Sequence, residues 1–189
     1  MATQPKPYIT EEQYIELEER AERRSEYFRG EMFPVEFATI PHAVIHSNLV
    51  LKIGTQLSGS GCQVFFNELR VRVSPTGLYT YPDIVVVCGE PEISEKDKNA
   101  IVNPKVIIEI LSPTTQSYDR GDKFAHYRSI PSFQEYLLIA QDRIHAEHHI
   151  KQGGGGWLLI ETSDGDTTIA IETIGVRFQL SDAYTKVKF

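Results

Sequence analysis

The chain has 189 residues, 41 % hydrophobic and 24 % charged, with a formal net charge of −7 at pH 7. That is the composition of a soluble globular protein, long enough to bury a core as a single domain. No apolar run approaches the roughly 20 residues that a membrane span requires. The acidity argues mildly against nucleic acid, because a protein that neutralises many phosphates usually displays a basic surface.

The N-terminus, Met1 to Pro7, has no hydrophobic segment of the signal-peptide kind, so a cytoplasmic location is the expectation. Two cysteines, Cys62 and Cys88, are too few for a metal framework. In that compartment they are expected as buried or half-buried thiols rather than a disulfide. Much of the negative charge falls in residues 11–26. Lys96, Lys98, Lys105, Arg120, Lys123 and Arg128 place positive charge in the later part of the chain, expected near the candidate site.

In chain order, Thr10 with Gln13 three residues later predicts a capped helix running to about Arg24. Residues 25–35 (SEYFRGEMFPV) read as a hairpin around Arg29-Gly30. Pro41-His42 opens a second helix whose apolar face is Val44, Ile45, Leu49, Ile53 and Leu57. It ends at the glycine-serine cluster 58–61. Strands are predicted over Gln63–Phe66, Leu69–Ser74 and Asp83–Cys88, with a turn at Pro75-Thr76-Gly77. Glu90–Asn103 reads as a polar surface loop. Lys105–Leu111 is a continuous apolar strand, as in a sheet covered on both faces. A helix is expected from Asp119 to about Arg128, stopped by Pro131. The remainder is strand-rich: Glu135–Ala140, Arg143–Lys151, Gly156–Glu161, Thr167–Thr173 and Val176–Gln179. Gly153–Gly156 is a hairpin tip, and a strand follows it where a phosphate-cradling loop would need a helix.

Two carboxylates stand out against this pattern. Asp83 follows Pro82 at the entrance of one β-branched run, and Glu109 is embedded in the next, VIIEIL. Charged groups in such strands must be paired or bind a cation. Two carboxylates on neighbouring strands, with a strand carbonyl, can hold a Mg²⁺-like ion for phosphodiester hydrolysis. Such a site also wants a lysine, but the residue two after Glu109 on the same strand face is Leu111. Lys123, on the following helix, is the preferred replacement, with Asp119 four residues earlier to orient it. Lys105 is the competitor; it lies about 13 Å along the strand from Glu109 at ~3.3 Å per residue. The bland alternatives are a turn-capping role for Asp83 and an ion pair of Glu109 with Lys123 or Arg120.

YTYPDIVVVCGEP, followed by NPKVIIEILSPTTQSYDRGDKFAHYRSIPSFQEYLLIAQD, resembles the Uma-two restriction-endonuclease family, which is abundant in cyanobacteria. The resemblance extends more weakly to residues 25–31, to Pro41 through Leu49, and to the C-terminal strands. It implies a PD-(D/E)xK nuclease-like α/β fold: a mixed sheet flanked by helices, with additional antiparallel strands on the C-terminal side. Residues 8–35 would be an N-terminal helix and hairpin, about 41–142 the nuclease core, and 143–189 a β-rich extension of one domain. By position, Asp83 and Glu109 match the acidic metal ligands, Lys123 a lysine displaced to the next helix, and Glu26 an additional acidic position. The segment MFPVEFATIPHAVI departs from the family in being more hydrophobic than the corresponding small-residue stretch.

Other groupings are weaker. His145, His148 and His149 are expected on the exposed face of a hairpin, with His148 opposite the other two. His42 and His46 have helical i,i+4 spacing but lack the glutamate of a zinc-protease motif, so they read as ordinary helix histidines. No recognition helix or aromatic stacking platform is identifiable. The resulting expectation is a Mg²⁺- or Mn²⁺-dependent endonuclease acting on DNA, with strand edges available for pairing two copies into a homodimer. The rivals are a catalytically inactive nuclease-like module that binds nucleic acid or a protein, and a small-molecule enzyme using the acidic pocket.

Overall fold

The structure is a computed structural model that describes residues 7–66 and 69–189. Helix α1 (Glu11–Arg20) starts at the capping box of Thr10 and Gln13 that its spacing predicts. Its inward stripe is Tyr14 and Glu18. The Glu18 carboxylate accepts from the Ser25 backbone N–H and the Tyr81 hydroxyl, which satisfies a charge that burial would otherwise penalise. Strands β1 (Ser25–Phe28) and β2 (Glu31–Pro34) form the expected hairpin. Arg29 and Gly30 both take positive φ in its turn, matching the twist of the strands they join. Helix α2 (Ile40–Leu57) is capped by Thr39, with Pro41 in its first turn, and buries Ile45, Leu49, Ile53 and Leu57.

Strands β3 (Cys62–Phe66), β4 (Arg70–Val73), β5 (Leu78–Thr80), β6 (Ile84–Cys88), β7 (Ala100–Ile101) and β8 (Val106–Leu111) follow. Next come α3 (Gln116–Tyr118), a π-helical turn (Asp119–Lys123) and α4 (Phe124–Tyr127). The chain then forms β9 (Glu135–Ala140), β10 (Ala146–Lys151), β11 (Trp157–Thr162), β12 (Thr168–Ile171), β13 (Val176–Gln179) and α5 (Leu180–Ala183).

The main sheet has six strands in the order β11-β10-β9-β8-β6-β3, with β8 and β9 parallel and the other pairs antiparallel. On one face Ile84, Val86, Ile108 and Ile139 pack under Ile45, Leu49 and Ile53 of α2. On the other, Val85, Ile107 and Leu138 meet Phe124, Tyr127 and Phe133, together with Val71 and Leu78 from a five-stranded sheet, β2-β1-β5-β4-β7. Every residue of β8 is buried, as its unbroken apolar sequence predicts. Strands β12 and β13 form a separate hairpin over the α2 side. Among the described residues no helix is long and apolar enough to cross a membrane.

Four expectations need correction. Cys62 and Cys88 are not thiols. Antiparallel pairing of β3 with β6 sets them directly opposite, and they form a disulfide. The presumed loop 90–103 contains β7, which pairs parallel with β4, and Ile93 bridges Ile101. A two-residue strand is too short to produce a readable alternation. The β10 histidines do not decorate an exposed hairpin face, because side chains from neighbouring elements cover both faces of the strand. His148 is buried against Glu135 at 2.6 Å, and His149 packs on Phe124. The helix expected from Asp119 starts at Gln116 and passes through the π turn, a departure from α geometry that leaves no mark on hydrophobic spacing.

The disulfide closes a loop with a sequence separation of 26. In the chain-entropy model such a cross-link stabilises by roughly 3 kcal/mol. Urea unfolding of the oxidised protein, compared with the same protein in excess reductant, should show a loss of that order. The Cys62→Ser/Cys88→Ser double variant should match the reduced protein and be indifferent to reductant. Equal midpoints for oxidised and reduced wild type would count against the cross-link.

Candidate active site

Pro82 ends the segment after β5 and delivers Asp83 immediately before β6. Glu109 stands in the middle of β8, the next strand in the sheet. A reciprocal pair of hydrogen bonds locks the two together. The Asp83 backbone N–H donates to Glu109 Oε2 at 3.1 Å, and the Ile110 backbone N–H donates to Asp83 Oδ2 at 2.7 Å. Each carboxylate is thus aimed by the backbone of the other's strand, and neither depends on a flexible partner. Asp83 is not a simple turn cap: its oxygen reaches across to a different strand.

Lys123 arrives from the π turn on the far side of Glu109. Its Nζ lies 2.8 Å from Glu109 Oε1, 3.3 Å from Glu26 Oε1 and 3.6 Å from Asp119 Oδ1. π-Turns are rare and tend to occur at functional positions because they displace side chains that an α-helix would hold in register. Here the turn buries both Asp119 and Lys123, and the Tyr136 hydroxyl donates to the Asp119 carbonyl. Glu26, from β1, also accepts from the Thr80 hydroxyl, and Tyr127 Oη donates to Glu109 Oε1 at 2.9 Å. The structure therefore brings Asp83, Glu109, Lys123 and Glu26 together. Lys105 stays outside, in backbone hydrogen bonds with Val86 and Gln134 at the other end of β8.

His42 belongs to this cluster although its helical spacing gave no reason to include it. Its Nε2 is 3.2 Å from Asp83 Oδ2, and one turn later His46 Nε2 lies 3.1 Å from the Asp83 carbonyl oxygen. Two helix histidines thus flank Asp83. The signal was present as i,i+4 spacing in the helix that covers the strand, but nothing in the sequence tied that helix face to Asp83.

The remaining cations are mostly spoken for. Arg120 forks onto Glu147, Lys96 pairs with Glu11, Lys98 with Glu19, and Arg128 lies over the Phe124 ring. Contrary to the sequence expectation, Lys123 alone of those six lines the site. The cleft above it, about 1030 Å³, is lined instead by Arg24 and Arg29 from the N-terminal segment. A second acidic grouping, His145, Glu147 and Glu161, is spatially distinct; Arg120 already occupies the Glu147 carboxylate.

The electrostatics follow from crowding. Three carboxyl groups, Glu109, Glu26 and Asp119, surround one lysine, and a fourth, Asp83, is tied to Glu109 on the side away from it. Burial pushes the Glu109 carboxyl up to about 8; Lys123 opposes that shift, while Asp83 and Asp119 add to it. Asp119 is raised by burial in the same way. For Lys123, burial acts to lower the value, but Glu109 and Glu26 outweigh it and hold the ammonium well above its usual range. Lys123 therefore keeps its proton, and the surplus negative charge falls on the carboxyl groups. Closely spaced oxygen donors with surplus negative charge suit a hard divalent cation of the Mg²⁺ class. Asp83 and Glu109, tied to each other across neighbouring strands, could hold such an ion.

Without metal, the folded state holds the Glu109 proton more tightly than the unfolded chain, whose carboxyl titrates near 4.5. The resulting stabilisation is complete below that value and is lost as pH rises through about 8, with Asp119 acting in the same direction. In EDTA, wild type should lose more melting temperature, or gain less, between about pH 5 and pH 8 than Glu109→Gln does. Millimolar Mn²⁺ should restore more stability at pH 8 than at pH 5.5. Equal pH slopes for wild type and Glu109→Gln would contradict the burial of Glu109, because the opposite contributions of His126 and His149, whose values burial lowers, cancel in that comparison.

Three comparisons with known proteins bear on the family and the fold. The Uma2 family model, described as "Putative restriction endonuclease", matches residues 11–183. Two curated relatives come from Synechocystis sp. (strain ATCC 27184 / PCC 6803 / Kazusa). The uncharacterized protein sll1609 is 34 % identical over 153 residues, covering 81 % of this chain and 86 % of that protein. The uncharacterized protein slr1290 is 30 % identical over 185 residues, covering 98 % and 96 %. Among solved structures, a crystal structure described as "a putative nuclease belonging to DUF820", from Anabaena variabilis ATCC 29413, superposes with a TM-score of 0.73 at 20 % identity. It covers 89 % of this chain and 93 % of its own. That likeness shows a shared mixed α/β fold. With the family model spanning nearly the whole length, the chain belongs to the Uma2 family.

Proposed function

We propose that the protein is a metal-dependent nuclease that hydrolyses phosphodiester bonds in DNA, with Asp83 and Glu109 as the metal ligands. The convergence of Asp83, Glu109 and Lys123 from separate elements on one cleft carries this reading. Asp83 and Glu109 would hold a Mg²⁺ or Mn²⁺ ion, which would supply Lewis acidity and lower the pKa of a bound water, for hydrolysis without a covalent enzyme intermediate.

The chain's own contributions are distinct. The Asp83 and Ile110 backbone N–H groups fix the two carboxylates before any ligand arrives, and His42 restrains Asp83 from the α2 side. Lys123 is fully charged, so it is not the base that deprotonates water. Its ammonium supplies positive charge where the phosphate becomes more negative in the transition state. Glu26 and Asp119 tether that ammonium and keep it directed at Glu109. Tyr127 restrains the same Glu109 oxygen that Lys123 touches. A homodimer could form along β11, the sheet edge that leaves Leu158, Leu159 and Ile160 exposed.

Calorimetry with Mn²⁺ should show binding to wild type and none to Asp83→Ala, with Lys123→Met still binding. Plasmid nicking in Mn²⁺ should drop by roughly a hundredfold or more for Lys123→Met, the scale of losing one transition-state charge donor. Metal binding with no cleavage of any nucleic acid would leave the inactive-module or small-molecule reading in its place. Cleavage that survives Glu109→Ala would mean that the chemistry lies elsewhere.

A further inference from the structure

The wall of the cleft opposite the acidic floor is apolar and open. Phe33 at the end of β2 and Val35 and Phe37 in the segment before α2 line the lip, and Phe37 is 79 % exposed. A large aromatic is not normally left open beside a polar site unless something covers it. The Arg23 guanidinium lies 4.9 Å over one face of the Phe37 ring. That contact holds the ring in place and leaves the rest of it in solvent. Tyr118 lines the facing wall, just before the π turn that delivers Lys123. The two walls are tied together, because Thr114 Oγ1 donates to Glu36 Oε2 at 2.6 Å.

We propose that this cleft takes an unpaired strand of nucleic acid, its bases stacking on Phe37 and Tyr118 while its backbone passes Asp83 and Glu109. This rests on the nuclease reading above and narrows its substrate. Two opposing quantities decide for the unpaired form. A duplex is held chiefly through phosphates, typically with ~6–10 contacts to basic side chains in a salt-sensitive complex. Among the described residues, the lysines and arginines lining this cleft are Arg24, Arg29 and Lys123, and Lys123 is engaged by three carboxyl groups on a protein of net charge −7. Stacking on an aromatic face contributes about 1–3 kcal/mol per base without needing positive charge, but requires bases that are not already stacked in a helix. The exposed aromatic ring and the guanidinium behind it meet that requirement.

The test is fluorescence anisotropy with labelled 12-nucleotide DNA, the same sequence as RNA, and a blunt-ended hairpin duplex, each in Ca²⁺ at physiological salt. Either unpaired strand should bind at least tenfold more tightly than the duplex. Phe37→Ala should weaken unpaired-strand binding about tenfold, Phe37→Trp should retain it, and neither should alter Mn²⁺ binding by calorimetry. Because Phe37 is on the surface, both variants are expected to fold. Equal or tighter duplex binding, or indifference to Phe37→Ala, overturns the proposal. If duplex is also cut in an Asp83-dependent way, the nuclease reading survives that failure. If neither form binds while Mn²⁺ does, both fall.

Discussion

The site depends on one geometric fact: β6 and β8 are neighbours in a register that lets each strand's backbone hold the other's carboxylate. The hydrogen bonds Asp83 N–H to Glu109 and Ile110 N–H to Asp83 are made by groups that the sheet has already fixed. Orienting two acidic side chains with other side chains would cost rotamer entropy at each partner. Orienting them with strand amides costs little more, because β6 and β8 are held by apolar burial on both faces. The core under α2 and the aromatic packing under α4 therefore act on the chemistry through the register they enforce.

That arrangement creates a difficulty that the rest of the site addresses. An ionised carboxylate in a buried strand is strongly disfavoured, and placing a second beside it adds repulsion. One lysine cannot neutralise four carboxyl groups, yet Lys123 is surrounded so closely that its own charge is secured. Removing one member of such a buried set leaves its partners uncompensated, typically at a cost of several kcal/mol. Burial therefore pushes the Glu109 carboxyl up while Lys123 opposes that shift, and the opposition between the two sets the charge of the site. The π turn matters for the same reason. In a regular α-helix the side chain of residue 123 would sit at a different angle to residue 119, whereas the wider turn buries both beside Glu109.

Much of this was legible from residues. The two helices, the Thr10 cap of the first, the long strands and the hairpin at Arg29-Gly30 follow from period, capping residues and turn chemistry, and the structure places them within a few residues of expectation; the Thr39 cap of α2 was not foreseen. Glu109 announced itself because a charge in a Val/Ile run needs a partner, and Lys123 was the partner favoured by reach. What could not be read was anything set by register between distant segments. The opposition of Cys62 and Cys88 comes from how β3 lies on β6, and the internal position of β10 from its pairing on both edges. His42 joined the site through a packing angle of α2 that periodicity does not encode. The short strands β5 and β7 have too few residues for a pattern; their pairing with β4 holds them in place.

The same distinction explains how an acidic protein can suit a polyanionic substrate. Net charge is a sum over the surface, whereas recognition depends on what lines one cleft. The lysines and arginines after residue 95 looked well placed in sequence, but ion pairs and a stacking contact absorb most of them into the scaffold. What remains at the cleft is a small set of arginines, a tethered lysine and open aromatic rings over an acidic floor. Such a surface gains little from long-range attraction and much from short-range contacts. Its selectivity should therefore come from which bases can leave their neighbours and stack, not from how many phosphates a strand presents.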